Sequence, residues 1–124
     1  MKVLSVDDSA IIRKIIRGSA EVLGMEFLEA ADGQEALDVL SDQHNDVGLI
    51  LLDWNMPVMD GITTLERLKT DTRFKEIPVM MVTTEAERAN IVRAIQTGAK
   101  HYVIKPFTPE DLMSKMLECM GTGF

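Results

Sequence analysis

Short aliphatic runs alternate along the chain with longer stretches in which apolar residues recur at helical spacing. The strand-like runs cover residues 3–6, 25–29, 47–52, 79–82 and 102–104. The third, Val47-Gly48-Leu49-Ile50-Leu51-Leu52, is apolar without alternation, as a strand covered by helices on both faces must be, so it is expected at the centre of a sheet. Between these runs, Ile11, Ile12, Ile15, Ile16, Ser19, Val22 and Leu23 make one helical stripe, opened by Ser9 as N-cap. Ala36, Leu37 and Leu40 mark a second helix, and Ile62, Leu65 and Leu68 a third, which starts at Asp60-Gly61. Ile91, Val92 and Ile95 mark a fourth, and Leu112, Met113, Met116, Leu117 and Met120 a fifth. Thr108-Pro109-Glu110-Asp111 reads as an N-cap, a proline at the first helical position and acids in the first turn, while Gly24 and Gly98 read as helix stops.

Strict strand–helix alternation, with right-handed crossovers, gives a doubly wound α/β fold: a five-stranded parallel sheet with five helices on its two faces. The chain of 124 residues holds one such domain, residues 1–124, without repeats or linkers. In such folds chemistry gathers outside the carboxyl ends of the strands, where the winding reverses. The residues just past each strand are therefore the ones to inspect.

Those residues are Asp7 and Asp8 after the first strand, Asp53 after the third, Thr83 and Thr84 after the fourth, and Lys105-Pro106 after the fifth. Taken singly, an Asp pair before a helix is a cap and a solvated turn, and a Thr pair after a strand is a turn. Taken together they must converge, because a parallel sheet brings all its carboxyl ends to one edge. Three carboxylates about 5 Å apart repel by roughly 3 kcal/mol per pair at an effective dielectric near 20. A hard divalent cation with oxygen ligands relieves that cost, and Mg²⁺ prefers one or two carboxylates, a carbonyl and waters. Lys105 can lie between the carboxylates and stabilise phosphoryl oxygens, and Thr83 offers a hydroxyl to the same group. Asp53, at the middle of the edge, is the natural nucleophile for phosphoryl transfer, which needs charge neutralisation more than covalent help.

Charge and composition narrow the partners. Thirteen basic residues, scattered rather than clustered, stand against twenty acidic ones for a formal charge of −7, which disfavours nucleic acid. Acid appears at Asp7 after a short strand-like run, so the start does not read as a signal peptide, no apolar run reaches membrane-spanning length, and a cytoplasmic protein is expected. Cys119 is expected to be a half-buried structural thiol, His44 and His101 surface residues, Trp54 a packing residue near the metal, and the methionines core filler, with Met113, Met116 and Met120 leaving some adaptable surface.

Asp7-Asp8, Asp53-Trp54-Asn55-Met56-Pro57, Asp60-Gly61, Thr83 and Lys105-Pro106 together resemble the signature of response-regulator receiver domains, over essentially the whole chain. The segments Ile77-Pro78-Val79-Met80-Met81-Val82-Thr83-Thr84-Glu85 and Tyr102-Val103-Ile104-Lys105-Pro106-Phe107-Thr108-Pro109 look most like the stand-alone, CheY-like chemotaxis members. The resemblance implies strand order 2-1-3-4-5. It implies Mg²⁺, with Mn²⁺ as an alternative, on Asp8, Asp53 and the backbone carbonyl of Asn55, with Asp7 reaching the metal through water. It further implies phosphoryl transfer from a CheA-like histidine kinase to Asp53, in a signalling switch that catalyses its own phosphorylation and dephosphorylation. Phosphorylation would draw Thr83 inward and let Tyr102 pass from exposed to buried, altering the face of the fourth helix, fifth strand and fifth helix for an output protein such as the flagellar motor switch. Asn55 and Glu85 would tune hydrolysis of the acyl phosphate, alone or with a phosphatase partner, and Thr84 stands where such members often carry a small residue. A monomer is expected, with output through protein contacts.

Three rival functions are compatible with the fold class. A dehalogenase-type phosphatase needs a second Asp two residues after the nucleophile, where Asn55 stands. A flavin module needs a phosphate-cradling loop after the first strand, where Asp7-Asp8 would repel phosphate. A phosphorelay or other non-flagellar receiver would share the same site.

Overall fold

A computed structural model describes residues 1–121. Its elements run β1 (Lys2–Val6), α1 (Ala10–Val22), β2 (Glu26–Ala30), α2 (Gly33–Gln43), β3 (Val47–Leu52), α3 (Gly61–Thr70), β4 (Val79–Thr83), α4 (Arg88–Thr97), β5 (His101–Ile104) and α5 (Pro109–Cys119). The strands pair in parallel in the order β2-β1-β3-β4-β5, so β3 is central, as its unbroken apolar run requires.

Strand alternation divides the interior in two. Leu4, Val6, Ile50, Leu52, Val79 and Met81 face Ala36, Leu40, Ile62, Leu65, Leu68 and Ala94 of α2, α3 and α4. Val3, Leu49, Leu51, Met80, Val82 and Val103 face Ile16, Ala20, Leu112, Met116 and Cys119 of α1 and α5. The helix starts follow their caps: the side chains of Ser9, Asp32, Asp60 and Thr108 each accept a backbone N–H three residues on. Gly98 closes α4 with φ 130°, and Gly24 follows α1 with φ 73°, conformations that favour glycine.

Several expectations need correcting. The α1 stripe is about 140° wide at 100° per residue, too wide for one contact. Only its far half, with Ile12, Ile16, Ser19 and Leu23 joined by Ala20, meets the sheet and α5; Ile11 and Val22 are 73% and 74% exposed, and Ile15 is exposed too. On α4 the residue that packs is Ala94, small enough for close approach, which leaves Val92 and Ile95 at the surface. Met116 is core rather than adaptable surface, and Cys119 is fully buried, with its thiol pKa pushed up by burial. His44 is half-buried edge-on to Phe74, ring centroids 5.5 Å apart, and His101 Nε2 lies 3.4 Å from Glu118 Oε2. Phe74 itself, in the turn after α3, is a fully buried side chain that no periodic stripe flagged. No helix among the described residues is long and apolar enough to cross a membrane.

Candidate functional site

The carboxyl ends of β1, β3 and β5 build the site, and the backbone ladder fixes its side chains. Asp53 N donates to Val6 O at 3.0 Å, Asp7 N to Ala30 O at 3.0 Å, and Lys105 N to Thr83 O at 2.9 Å, so each functional residue extends a strand pair by one step. Lys105 Nζ then lies 2.8 Å from Asp7 Oδ2 and 3.3 Å from Asp53 Oδ2, bridging residues 98 and 52 positions away in sequence. The Lys105–Pro106 peptide is cis.

One carboxylate oxygen from each of Asp7, Asp8 and Asp53 lies within 4.8 Å of the others. Asp7 is only 2% exposed and Asp53 is buried, while Asp8 is open to solvent. Burial pushes the Asp7 carboxyl above the usual carboxylate range, and its bonds to Lys105 and to the Ser9 N–H (2.9 Å) pull the other way. This all-oxygen donor set, two-thirds buried and only partly neutralised by one ammonium, suits a hard divalent cation of the Mg²⁺ kind.

Sequence reasoning missed three supports of this cup. Arg13 NH1 donates to Asp7 O at 2.6 Å, and its Nε donates to Glu29 Oε1 at 2.7 Å. The Trp54 amide donates to Asp53 Oδ1 at 2.7 Å, fixing the carboxylate rotamer. Gly61 N donates to Trp54 O at 2.8 Å, and a Cβ on Gly61 would run into the Asp53 backbone carbonyl. Their common signal is proximity to the Asp residues, but helix phase and backbone approach are invisible in one sequence.

Thr83 and Tyr102 form a second group, around Glu85. Thr83 is fully buried, and its hydroxyl accepts the Glu85 N–H at 3.2 Å. Tyr102, half-buried, donates its phenolic O–H to Glu85 O at 2.7 Å; burial first, then the negative charges of Glu85 and Asp53, pushes the phenol up to about 12. Asn55 and Glu85, placed on different loops, both line an open cleft of about 470 Å³ with Thr84, Ala86, Glu87 and Arg88.

The residues from Val3 to Leu117, positions 3–117, match the family described as response regulator receiver domain. The chain belongs to that family. This receiver is 43% identical over 124 residues to the chemotaxis protein CheY1 of Helicobacter pylori, covering 99% of each chain. Among solved structures it resembles Vibrio cholerae chemotaxis protein CheY4 at TM-score 0.86 and 35% identity, covering 95% of this chain and 97% of that one. It also resembles a chain in the CheX-CheY-BeF3-Mg+2 complex from Borrelia burgdorferi at TM-score 0.90 and 27% identity, over 95% and 87% of the two chains. The receiver is thus CheY-like: a response regulator of the two-component, chemotaxis type, and a signalling switch.

The loop carrying Asp53 into α3 holds one strained residue. Val58 has φ 67° and is 82% exposed, so a β-branched side chain occupies a left-handed position without packing in return. Val58→Asn is expected to raise the unfolding free energy by about 1 kcal/mol in urea denaturation, and an unchanged or lowered midpoint would contradict this account of the loop.

Proposed function

We propose that this receiver takes a phosphoryl group from a histidine kinase onto Asp53 in a Mg²⁺-dependent reaction and, so modified, changes the α4–β5–α5 face presented to an output protein of chemotaxis, such as the motor switch. The observation that carries the reading is Lys105 Nζ held between Asp7 Oδ2 and Asp53 Oδ2 at the rim of the three-carboxylate cup. An ammonium so placed can stabilise the developing charge on phosphoryl oxygens without moving.

In the transfer, an Asp53 carboxylate oxygen attacks phosphorus while the P–N bond to the donor imidazole breaks and the imidazole keeps the bonding pair. The Trp54 amide and Lys105 hold the attacking carboxylate in place, and the buried Asp7 anchors Lys105. Asp8, Asp53 and the Asn55 carbonyl would hold Mg²⁺, with Asp7 reaching it through water. When bound, the cation supplies charge neutralisation for the carboxylates and the phosphoryl oxygens. The exposed Val92, Ile95 and Ile104 leave apolar area on α4 and β5 for a partner. The Borrelia neighbour, solved as a CheX-CheY complex with BeF3 and Mg2+, supports both the metal-dependent chemistry and a protein partner for this receiver.

Brief incubation with acetyl phosphate and Mg²⁺ should add the mass of one phosphoryl group, and Asp53→Asn should abolish the addition. Intact-mass spectrometry decides it: unchanged labelling of Asp53→Asn would remove Asp53 from its role.

A further inference from the structure

The loop between β4 and α4 is organised around one residue, Glu85, held at three points. Its N–H is bound by the Thr83 hydroxyl at 3.2 Å, and its carbonyl accepts the Tyr102 O–H at 2.7 Å. Its carboxylate oxygen Oε1 accepts both the Glu87 N–H and the Asn90 side-chain Nδ2–H, each at 3.1 Å. Glu87, the residue at the N-cap of α4, makes no side-chain cap bond of its own. Glu85 therefore supplies a negative charge to the first turn of α4 from outside the helix, where the free N–H groups and the dipole favour it.

The backbone contacts of Glu85 are available to any residue in that conformation. Of the two donors to the carboxylate, the Glu87 N–H is likewise main-chain, so the one contact set by a side chain is that of Asn90, half-buried in the first turn of α4. A carboxylate can only accept, so the Asn90 amide must present its NH₂ to it. This fixes the amide orientation and makes the pair directional. We propose that Asn90 is a positioning residue: by fastening the Glu85 carboxylate to the start of α4, it holds the Glu85 carbonyl where the Tyr102 hydroxyl can reach it. The hydroxyl of Thr83, beside the Asp53 site, is thereby tied to Tyr102 on the edge strand through a single residue whose side chain is locked from α4. Any effect on signalling rests on Tyr102 acting in the output face as proposed above, whereas the positioning itself does not.

The test uses the unphosphorylated protein without Mg²⁺, so its outcome is independent of the acceptor chemistry. Tyr102 is the only tyrosine in the chain, and the charged groups that bear on it are Glu85 and Asp53. At about pH 10.5, a phenol with midpoint near 12 is almost wholly protonated, and a fall of about one unit in that midpoint raises the phenolate fraction severalfold. Near-ultraviolet phenolate absorbance at that pH is expected to rise in Asn90→Ala, and in Asn90→Asp, where two carboxylates repel and the loop lets go. The exchanged pair Glu85→Gln with Asn90→Asp puts the amide on residue 85 and the carboxylate on residue 90, and is expected to bring the absorbance below that of either single variant, short of the parent level because the Glu85 charge is gone. Circular dichroism on the same samples verifies that the helices persist. Parent-like absorbance in both single variants, or a rise that the exchanged pair fails to lower, would overturn the proposal.

Discussion

Lys105→Met is expected to lower the unfolding free energy by about 4 kcal/mol near neutral pH, because it strands a buried carboxylate while keeping most of the apolar stem. Lys105 Nζ is 2.8 Å from an oxygen of Asp7, a residue with 2% of its surface exposed. Burial already raises the Asp7 pKa, and the Lys105 bond is the largest influence lowering it, so the substitution moves it further up. The sign of the pH dependence follows. A carboxyl with a raised pKa binds its proton more tightly in the folded state, so stability is fully present below the ordinary value of 3.8 and is lost as pH rises through the folded value. The deficit of Lys105→Met should therefore be small in acid and widen towards neutrality. Urea unfolding at several pH values measures it, and a deficit independent of pH would show that the pair does not act through Asp7 ionisation.

Gly61→Ala carries the second large effect, opposite in sign to what helix propensity alone gives. In an open helical position, Gly to Ala gains up to about 1 kcal/mol. Gly18 of α1, where an added Cβ meets nothing within 4 Å, should behave that way. At Gly61 the added Cβ would collide with the Asp53 carbonyl oxygen and lie 2.7 Å from Trp54 Cα, both main-chain atoms that cannot rotate aside. The first turn of α3 or the end of β3 must move, at a cost of about 3 kcal/mol. Because Asp53 directly follows β3, movement of the strand end also spoils the alignment with Lys105, and a displacement of about 1 Å can slow transfer roughly 100-fold. The matched pair Gly18→Ala and Gly61→Ala, compared by denaturation and by the initial rate of phosphoryl uptake, separates propensity from contact. A stabilised, fully reactive Gly61→Ala would refute the close-approach argument.

These two residues also show what one sequence reveals. Lys105 was legible because topology leaves it no choice: a parallel sheet obliges the residues after β1, β3 and β5 to meet, whatever their separation in the chain. Ser9, Thr108 and Gly98 were legible because caps and stops are local chemistry. Gly61 was read only as a helix start, since its contact with the Asp53 backbone depends on the path of the intervening loop. The phase of α1 failed for a related reason. Seven apolar or small residues span more arc than one interface can cover, and the choice between Ile11 and Ala20 is made by the sheet and α5, not by the helix itself. Phe74 lay outside any periodic run, and the ties of Glu85 to Thr83, Asn90 and Tyr102 join a loop residue to a strand end, a helix and an edge strand, whose places in the sequence gave no hint of each other.

The carboxylates of Asp7, Asp8 and Asp53 form a cup whose oxygens could hold a divalent cation. Trp54 is the only tryptophan, and its amide is bonded to Asp53 Oδ1 at 2.7 Å, so its fluorescence reports on the cup directly. Titration with Mg²⁺ should give a saturable fluorescence change. At ten times the dissociation constant, the melting temperature should rise by about 5 °C, corresponding to roughly 1.4 kcal/mol. Fluorescence and melting temperature that both stay flat to high magnesium would contradict the account.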